Sequence, residues 1–490
     1  MIGPMLQSGR ASIDAYDGTP CVPFLFAWFD LILVGCMPNL NCEEDLMASE
    51  LLSRAKKDSV QFICLQFTDV TGTVKSVDIP VNRLESALEE GVWFDGSSVE
   101  GFARIQESDM RLVPDQETYA VLPWSQEGRR RARMFCDIFL PDGKPFPGDP
   151  RGVLKRILAS IETRGWSYNV GAEPEFFLLK RNGPESIHPV PHDVGGYFDF
   201  SASDEAQRVR TELMLALASM GLEVEMGHHE VALGQHEIDF RFSDALRAAD
   251  NVVTLKYTIR ALAAKNDLIA TFMPKPIFGI NGSGMHTHQS IFDKNGTNLF
   301  FDAADDYYLS KSAYGFIAGQ IRHADALAAI VAPTVNSYKR IVPGYEAPVY
   351  VCWAQINRSA MIRIPSNTAE RPLSTRAELR FPDPSCNPYL AFASMLAAGL
   401  DGIDRDFKCP SPVNHLNIYE MTDEELAAKG IAQLPGSLAE ALLALEADSV
   451  LKDTLGEEIY TAFTRAKWSE WDEYRTRVMD WEIEYYLETA

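Results

Sequence analysis

Basic residues are scarce in this chain: 45 lysines and arginines stand against 69 aspartates and glutamates, giving a formal net charge of −24 and a pI near 4.8. That imbalance argues against nucleic acid or an anionic membrane as a partner, because both are held by counter-charge. Paired cysteines are missing as well. The eight cysteines, at 21, 36, 42, 64, 136, 352, 386 and 409, include no C-x-x-C, so reduced, packed thiols and a cytoplasmic location are expected. No run of about 18 uncharged apolar residues exists, and no membrane span is expected. The chain also lacks a G-x-x-x-x-G-K-[ST] loop and any protein-kinase motif, so a bound nucleotide would not be held in the P-loop manner.

What is present is ordinary globular composition, 46% hydrophobic and 23% charged, over 490 residues, too many for one simple core. Residues 1–37 differ from the rest. Phe24 to Cys36 is a short apolar run interrupted by Asp30, and Met37 follows it directly, so an N-terminal extension dispensable for the fold is expected rather than an export signal. Thereafter Glu43–Lys57 reads as a helix and Val60–Phe67 as a strand. A turn at Gly72 leads to a returning strand, Val74–Ile79, and a short helix over Arg83–Glu90 closes at Gly91. The basic run Arg129-Arg130-Arg131-Ala132-Arg133 reads as mostly solvated. The proline-rich stretch Lys144–Pro150 is the expected junction, giving a small α+β domain over residues 38–147 and a larger one over 148–490.

Four stretches carry chemistry. In Gly171-Ala172-Glu173-Pro174-Glu175-Phe176, strand alternation puts Glu173 and Glu175 on one face and Phe176 on the other. Two adjacent carboxylates repel unless they share a proton, a basic partner or a cation. Pro174 suggests an edge or a bulge, and an exposed acidic pair is the structural alternative. His228-His229-Glu230 through Gly234 to Gln235-His236-Glu237 reads as a strand pair that brings Glu230 and Glu237 near each other. Asn281-Gly282-Ser283-Gly284-Met285-His286-Thr287-His288-Gln289-Ser290 is a glycine turn entering a strand with His286, His288 and Ser290 on one face. Last come Arg340, Arg358, Arg363, Arg376, Glu378 and Arg380, guanidiniums suited to a polyanionic substrate, with a structural arginine network as the alternative. Five carboxylates and one histidine favour hard cations, Mg²⁺ or Mn²⁺, and two such ions beside arginines suit phosphoryl transfer. The C-terminal Trp468, Trp471, Tyr474, Val478, Trp481 and Tyr485 recur at helical spacing, an amphipathic helix for the core or for a subunit contact.

With Phe94-Asp95-Gly96-Ser97-Ser98, Lys339–Glu346 and Asn357-Arg358-Ser359 added, these motifs stand in the order found in the bacterial and archaeal class I glutamine synthetases, which the chain resembles from about Asp58 onward. The resemblance implies a small N-terminal β-grasp domain and a large antiparallel-sheet α+β catalytic domain, assembled as a dodecamer of two hexameric rings. It implies ATP-dependent condensation of L-glutamate with ammonia through γ-glutamyl phosphate. Glu175, Glu230 and Glu237 then match one metal site, and Glu173, His286 and Glu378 the other. Arg340, Arg358 and Arg380 match the positions holding glutamate and the transferred phosphate, and Asn281 and Gly282 the substrate loop. Arg363 and Arg376, with Glu225, Phe242, His288 and Ser290, match the surroundings of ATP. Asp95 and Ser98 of a neighbouring subunit, with Tyr197, Glu230 and Glu346, match the ammonium pocket, and Arg104 matches the arginine through which the alpha subtype senses glutamine. The competing readings are a γ-glutamylpolyamine or other amine ligase on the same fold, and a catalytically silent nitrogen-sensing homologue.

Overall fold

A computed structural model describes residues 40–97, 99, 109–181, 188–200, 205–345, 347–357, 359–414, 416 and 418–490. Ser98, Arg104, Glu346 and Arg358 therefore lie outside the described residues, as does the extension 1–37. Residues from Met47 onward form one compact unit; of the unit before it, only the start of helix α1 (Leu40–Lys57) is described. Among the described residues no helix is long and apolar enough to cross a membrane.

Among the described residues there are two sheets, and the first has six strands: β1 (Phe62–Thr68), β2 (Val74–Pro80), β3 (Val92–Asp95), β4 (Asp109–Pro114), β5 (Ala120–Val121) and β6 (Arg131–Phe139). Only β1 and β6 run parallel. Its core gathers Ile63, Leu65, Leu112, Ala132 and Met134 with Leu84 and Ala87 of α2 (Leu84–Glu90). Gly91 ends α2 at φ 73°, where a Cβ would collide with the Leu112 carbonyl. The basic run splits by depth along β6: Arg131, at the start of the strand, pairs with Asp78 at 2.8 Å at the surface, whereas Arg133 is buried and donates to the Thr118 carbonyl and to Thr254 Oγ1.

The second sheet has ten strands: β7 (Trp166–Lys180), β8 (Val224–His229), β9 (Gln235–Phe240), β10 (Ser243–Asp244), β11 (Leu268–Thr271), β12 (Met285–Asp293), β13 (Tyr350–Ala354), β14 (Ala360–Arg363), β15 (Ala377–Leu379) and β16 (Ala432–Gln433). All pairs are antiparallel except β13 with β14. Helices α3 (Pro150–Glu162), α4 (Glu205–Ser219), α5 (Ala245–Lys265) and Pro388–Asp404 cover the sheet and share its core.

Two expectations are corrected here. The Pro174 strand is no edge: β7 pairs with β12 on one side and with β10 and β9 on the other. Proline fits because β10 pairing ends at Val170 and β9 pairing begins at Glu175, leaving Pro174 in the gap where a missing N–H breaks no ladder bond. The C-terminal aromatic stripe is not one helix. It breaks at Arg477, ψ 135°, into Glu457–Thr476 and Asp480–Tyr486. Trp468 and Trp471 pack on the core, while Trp481 and Tyr485 stay 60% exposed.

A buried ion cage ties the small sheet to the helices of the large one. Arg151, 3% exposed, reaches Asp115 and Asp137 at 2.6 Å each and Asp250 of α5 at 3.1 Å, and Tyr389 donates to the same Asp250 at 2.6 Å. The shared guanidinium fixes how β4 and β6 stand over the catalytic sheet.

Candidate active site

Strand register assembles the site. Glu173 is the Cα partner of His286 across β7 and β12, and Glu378 that of His288 across β15 and β12. Glu175 is the partner of Glu237 across β7 and β9, and Glu237 that of His228 across β9 and β8. Five neighbouring strands, β15, β12, β7, β9 and β8, therefore deliver acids and imidazoles to one face, with Phe176 and Leu178 packed into the core behind them. Glu173, Glu175, Glu237, His286 and Glu378 line a cavity of about 220 Å³ together with Tyr197, Glu230, Asn281, Gly282, Arg340, Arg363 and Arg380, while His228 and His288 stand outside its lining. A larger cleft of about 750 Å³ beside His323 holds none of the residues singled out by sequence.

Among the described residues three groups of three converge, each with ligand atoms within 4.8 Å of one another; Asp193, His229 and His236 add nothing to the cavity lining, and the other two belong to this site: Glu173, His286 and Glu378, and His228, Glu230 and Glu237. The first is the trio expected from sequence. In the second, His228 stands beside Glu230 (3.4 Å) and Glu237 (3.2 Å), whereas one oxygen of Glu175 accepts from Gln235 Nε2 at 2.7 Å and from the Gly284 amide at 3.0 Å. Sequence reasoning missed His228 and Gln235. The signal was the hairpin register about Gly234, φ 71°, which puts His228 opposite Glu237.

Among the described residues, five carboxylates against three guanidiniums line the cavity, and their proton affinities show the strain. Burial, with the charge of Glu230 added, pushes Glu175 up to about 8 against the pull of Arg340. Burial and the charge of Glu175 push Glu237 up strongly, and burial with Glu173 pushes Asp239 to about 7. Glu173 behaves oppositely: burial would raise it, but His288 and His286 hold it well below the usual carboxylate range. Burial and then Arg380 hold His286 down to about 4, so its imidazole is neutral and free to ligate. Asp239 Oδ1 is buried without a hydrogen bond, and Glu378 Oε2 has only Arg363 Nε, 3.0 Å away but poorly aligned. Carboxylate oxygens with neutral imidazole, held in mutual repulsion, are a donor set that fits hard divalent cations.

The arginines form the facing wall. Arg340 is buried and donates to the carbonyls of Phe381 (2.9 Å) and Arg380 (3.2 Å), while Arg380 pairs with Glu378. Gly284 permits this, since a Cβ there would collide with the Arg340 guanidinium; a Cβ at Gly282 would meet the Pro274 carbonyl. A chain of contacts leads out of the cavity: Arg376 Nε donates to His288 Nδ1 (3.1 Å), which leaves Nε2–H to donate to Glu173 (2.8 Å). Phe242, 51% exposed, lies just before β10 and beside Gly171 of β7, and Ser290 is buried further along β12. Glu225 is exposed on β8. Asp95 ends β3 in the small sheet, does not line this cavity, and accepts from the Ser97 amide at 2.8 Å.

Acid cages facing an arginine wall define an enzyme that uses cations to handle an anionic, phosphate-bearing substrate. The glutamine synthetase catalytic-domain model matches residues 147–486 and the glutamine synthetase β-grasp-domain model residues 59–141. The glutamine synthetase of Halobacterium salinarum is 51% identical over 439 residues, 89% of this chain and 96% of that protein. That of Thermus thermophilus is 51% identical over 446 residues, 90% and 99%. Among solved structures, a GmaS–ADP complex superposes with TM-score 0.78 at 33% identity, over 89% of this chain and 99% of that one. Plasmodium falciparum glutamine synthetase gives 0.79 at 27% identity, over 90% and 98%. The chain belongs to the glutamine synthetase family, class I. It is a metal-dependent ligase that joins ammonia to L-glutamate at the expense of ATP.

Proposed function

We propose that the cavity holds two divalent cations, Mg²⁺ or Mn²⁺, one on Glu173, His286 and Glu378 and the other on Glu175, Glu230 and Glu237, with His228 orienting the last two. The observation that carries this is the convergence of five buried or half-buried carboxylates in one small cavity, against three guanidiniums among the described residues. Bound there, the cations supply charge neutralisation for transfer of a terminal phosphate.

The chain's own residues do the rest. Arg340, Arg358 and Arg380 hold the carboxylate of glutamate and the phosphate being passed to it. Arg363 and Arg376 hold the ATP phosphates, with Glu225, Phe242, His288 and Ser290 around the nucleoside. Asn281 and Gly282 present backbone and amide groups to the amino acid. Ammonium is drawn to a negative pocket of Asp95 and Ser98 from a neighbouring subunit, with Tyr197 and Glu230, where a carboxylate takes its proton to leave nucleophilic NH₃. Glu346, two residues after Gly344 in the sequence, covers the intermediate and keeps water out. Arg104 carries glutamine feedback.

This assignment needs a neighbouring copy, because Asp95 lies on the small sheet and outside its own subunit's cavity. The exposed aromatics Trp481, Tyr485 and Tyr486 supply apolar surface for ring stacking, in support of a dodecamer. The free, mostly buried cysteines support a cytoplasmic location, and the domain boundary is assigned between residues 147 and 148. The test is phosphate release with ammonia, hydroxylamine or a polyamine as acceptor. Asp95→Ala should slow ammonia use about 100-fold, within the range of a lost acid–base group, while ATP binding stays intact. Equal loss of both rejects the role, and preference for the polyamine would favour the amine-ligase reading.

A further inference from the structure

Away from the catalytic cavity, unbalanced charge recurs with the opposite sign. Lys256 and Arg260 lie four residues apart on α5 and so share a helix face, an arrangement that destabilises a helix when both are charged. Lys256 is 9% exposed, and its ammonium reaches a single backbone carbonyl, that of Cys386, at 3.4 Å. Arg260 lies over the Phe272 ring, 5.1 Å from its centroid. Among the described residues neither has a carboxylate within 4.0 Å. Burial, with the charge of Arg260 added, holds the Lys256 amine down to about 8 despite a nearby Asp383.

Both side chains line a cleft of about 470 Å³ between the β1–β2 turn, α5 and residues 271–274. The turn is rigid. Asp69 accepts from the amides of Thr71 (3.0 Å) and Thr73 (2.9 Å) and pairs with Lys75 at 3.1 Å, so its carboxylate is already committed. Asn387 donates to the Asp69 carbonyl at 3.1 Å, fixing the turn against the catalytic domain. The cleft is thus a preformed, roomy, cationic recess with no carboxylate among the described residues of its walls.

We propose that this recess is a second anion site, taking a small oxyanion, phosphate or a short carboxylate, between Lys256 and Arg260. It is distinct from the catalytic cavity but coupled to it. The Pro274 carbonyl on its wall accepts from Ser283 N at 2.8 Å, and the Asn336 side chain brackets Lys275 through its amide (2.8 Å) and carbonyl (3.0 Å). An occupant therefore bears on the loop that carries Asn281 and Gly282.

The test uses the full-length, Mg²⁺-loaded protein and Arg260→Gln, a change at an exposed position whose folding is checked by an unchanged denaturation midpoint and unchanged activity in phosphate-free buffer. In equilibrium dialysis with radiolabelled inorganic phosphate, the wild type should bind one more phosphate per subunit than the variant. In a second measurement, acetic anhydride labels Lys256 at pH 8 and mass spectrometry reads the yield. Phosphate at about ten times its dissociation constant should cut that yield about tenfold in the wild type and far less in Arg260→Gln. A parallel arm with succinate separates the sources: protection by succinate alone assigns a carboxylate ligand, and protection by phosphate alone a phosphoryl one. Equal phosphate stoichiometry in both proteins together with Lys256 labelling unmoved by either anion overturns the proposal. So does a change of subunit association in Arg260→Gln, which would mean that a carboxylate of a neighbouring copy fills the recess.

Discussion

Replacing Glu175 by glutamine should stabilise the metal-free protein while destroying its response to metal. Glu175 is 7% exposed, and burial with the Glu230 charge holds its carboxyl at about 8 rather than 4.5. At pH 7 the folded protein thus keeps a proton that the unfolded chain has released, a cost of about 3 kcal/mol, of which about 2 kcal/mol survives once the acids of the cavity share protons. The sign follows from linkage: the cost is absent below pH 4.5, grows as pH rises, and levels off above about 8. Glutamine keeps an acceptor for Gln235 Nε2 and the Gly284 amide, so the local hydrogen bonds survive. Denaturant unfolding of chelator-treated protein across pH 5 to 8.5 measures the effect. Glu175→Gln should gain about 2 kcal/mol over the wild type at pH 8 and almost nothing at pH 5, and added Mg²⁺ should reverse the order by stabilising the wild type more. A gain independent of pH, or a variant weaker than the wild type without metal at pH 8, refutes the account of acids held apart only by protons or cations.

Gly284→Ala drives a Cβ into the Arg340 guanidinium; steady-state kinetics should show glutamate KM raised about 10-fold or more with ATP KM little changed, and equal rises in both would count against a glutamate role for Arg340. Arg151→Leu leaves Asp115 and Asp250 without their guanidinium and Asp137 with Lys155 alone and should cost about 3–5 kcal/mol in denaturant unfolding, with partial rescue by Asp250→Asn. Deleting residues 1–37 should leave activity within about twofold, since the β-grasp match begins at residue 59; loss of soluble assembly on deletion would contradict this.

Some of the site was legible because strand alternation is local. Glu173 and Glu175 share a face with Phe176 behind them in any extended chain, and the Gly234 bend announces a hairpin. Pro174 misled because proline's effect depends on which flank of a strand lacks a partner, and that is set by β9 and β10, more than 60 residues away. The C-terminal stripe misled for a similar reason: helical spacing continues through Arg477 although the backbone does not.

The residues by themselves determined the ingredients: an acidic chain, carboxylates in pairs, arginines in a late cluster and glycines where the backbone turns sharply, all dictated by side-chain chemistry and near-neighbour geometry. Only the tertiary structure decided the pairing of Glu237 with His228, the capture of Glu175 by Gln235, the burial of Arg151 among three aspartates, and the isolation of Lys256 and Arg260. The reason is physical. Charge repulsion and desolvation act through distance and burial, and these are fixed only when strands remote in sequence come into register.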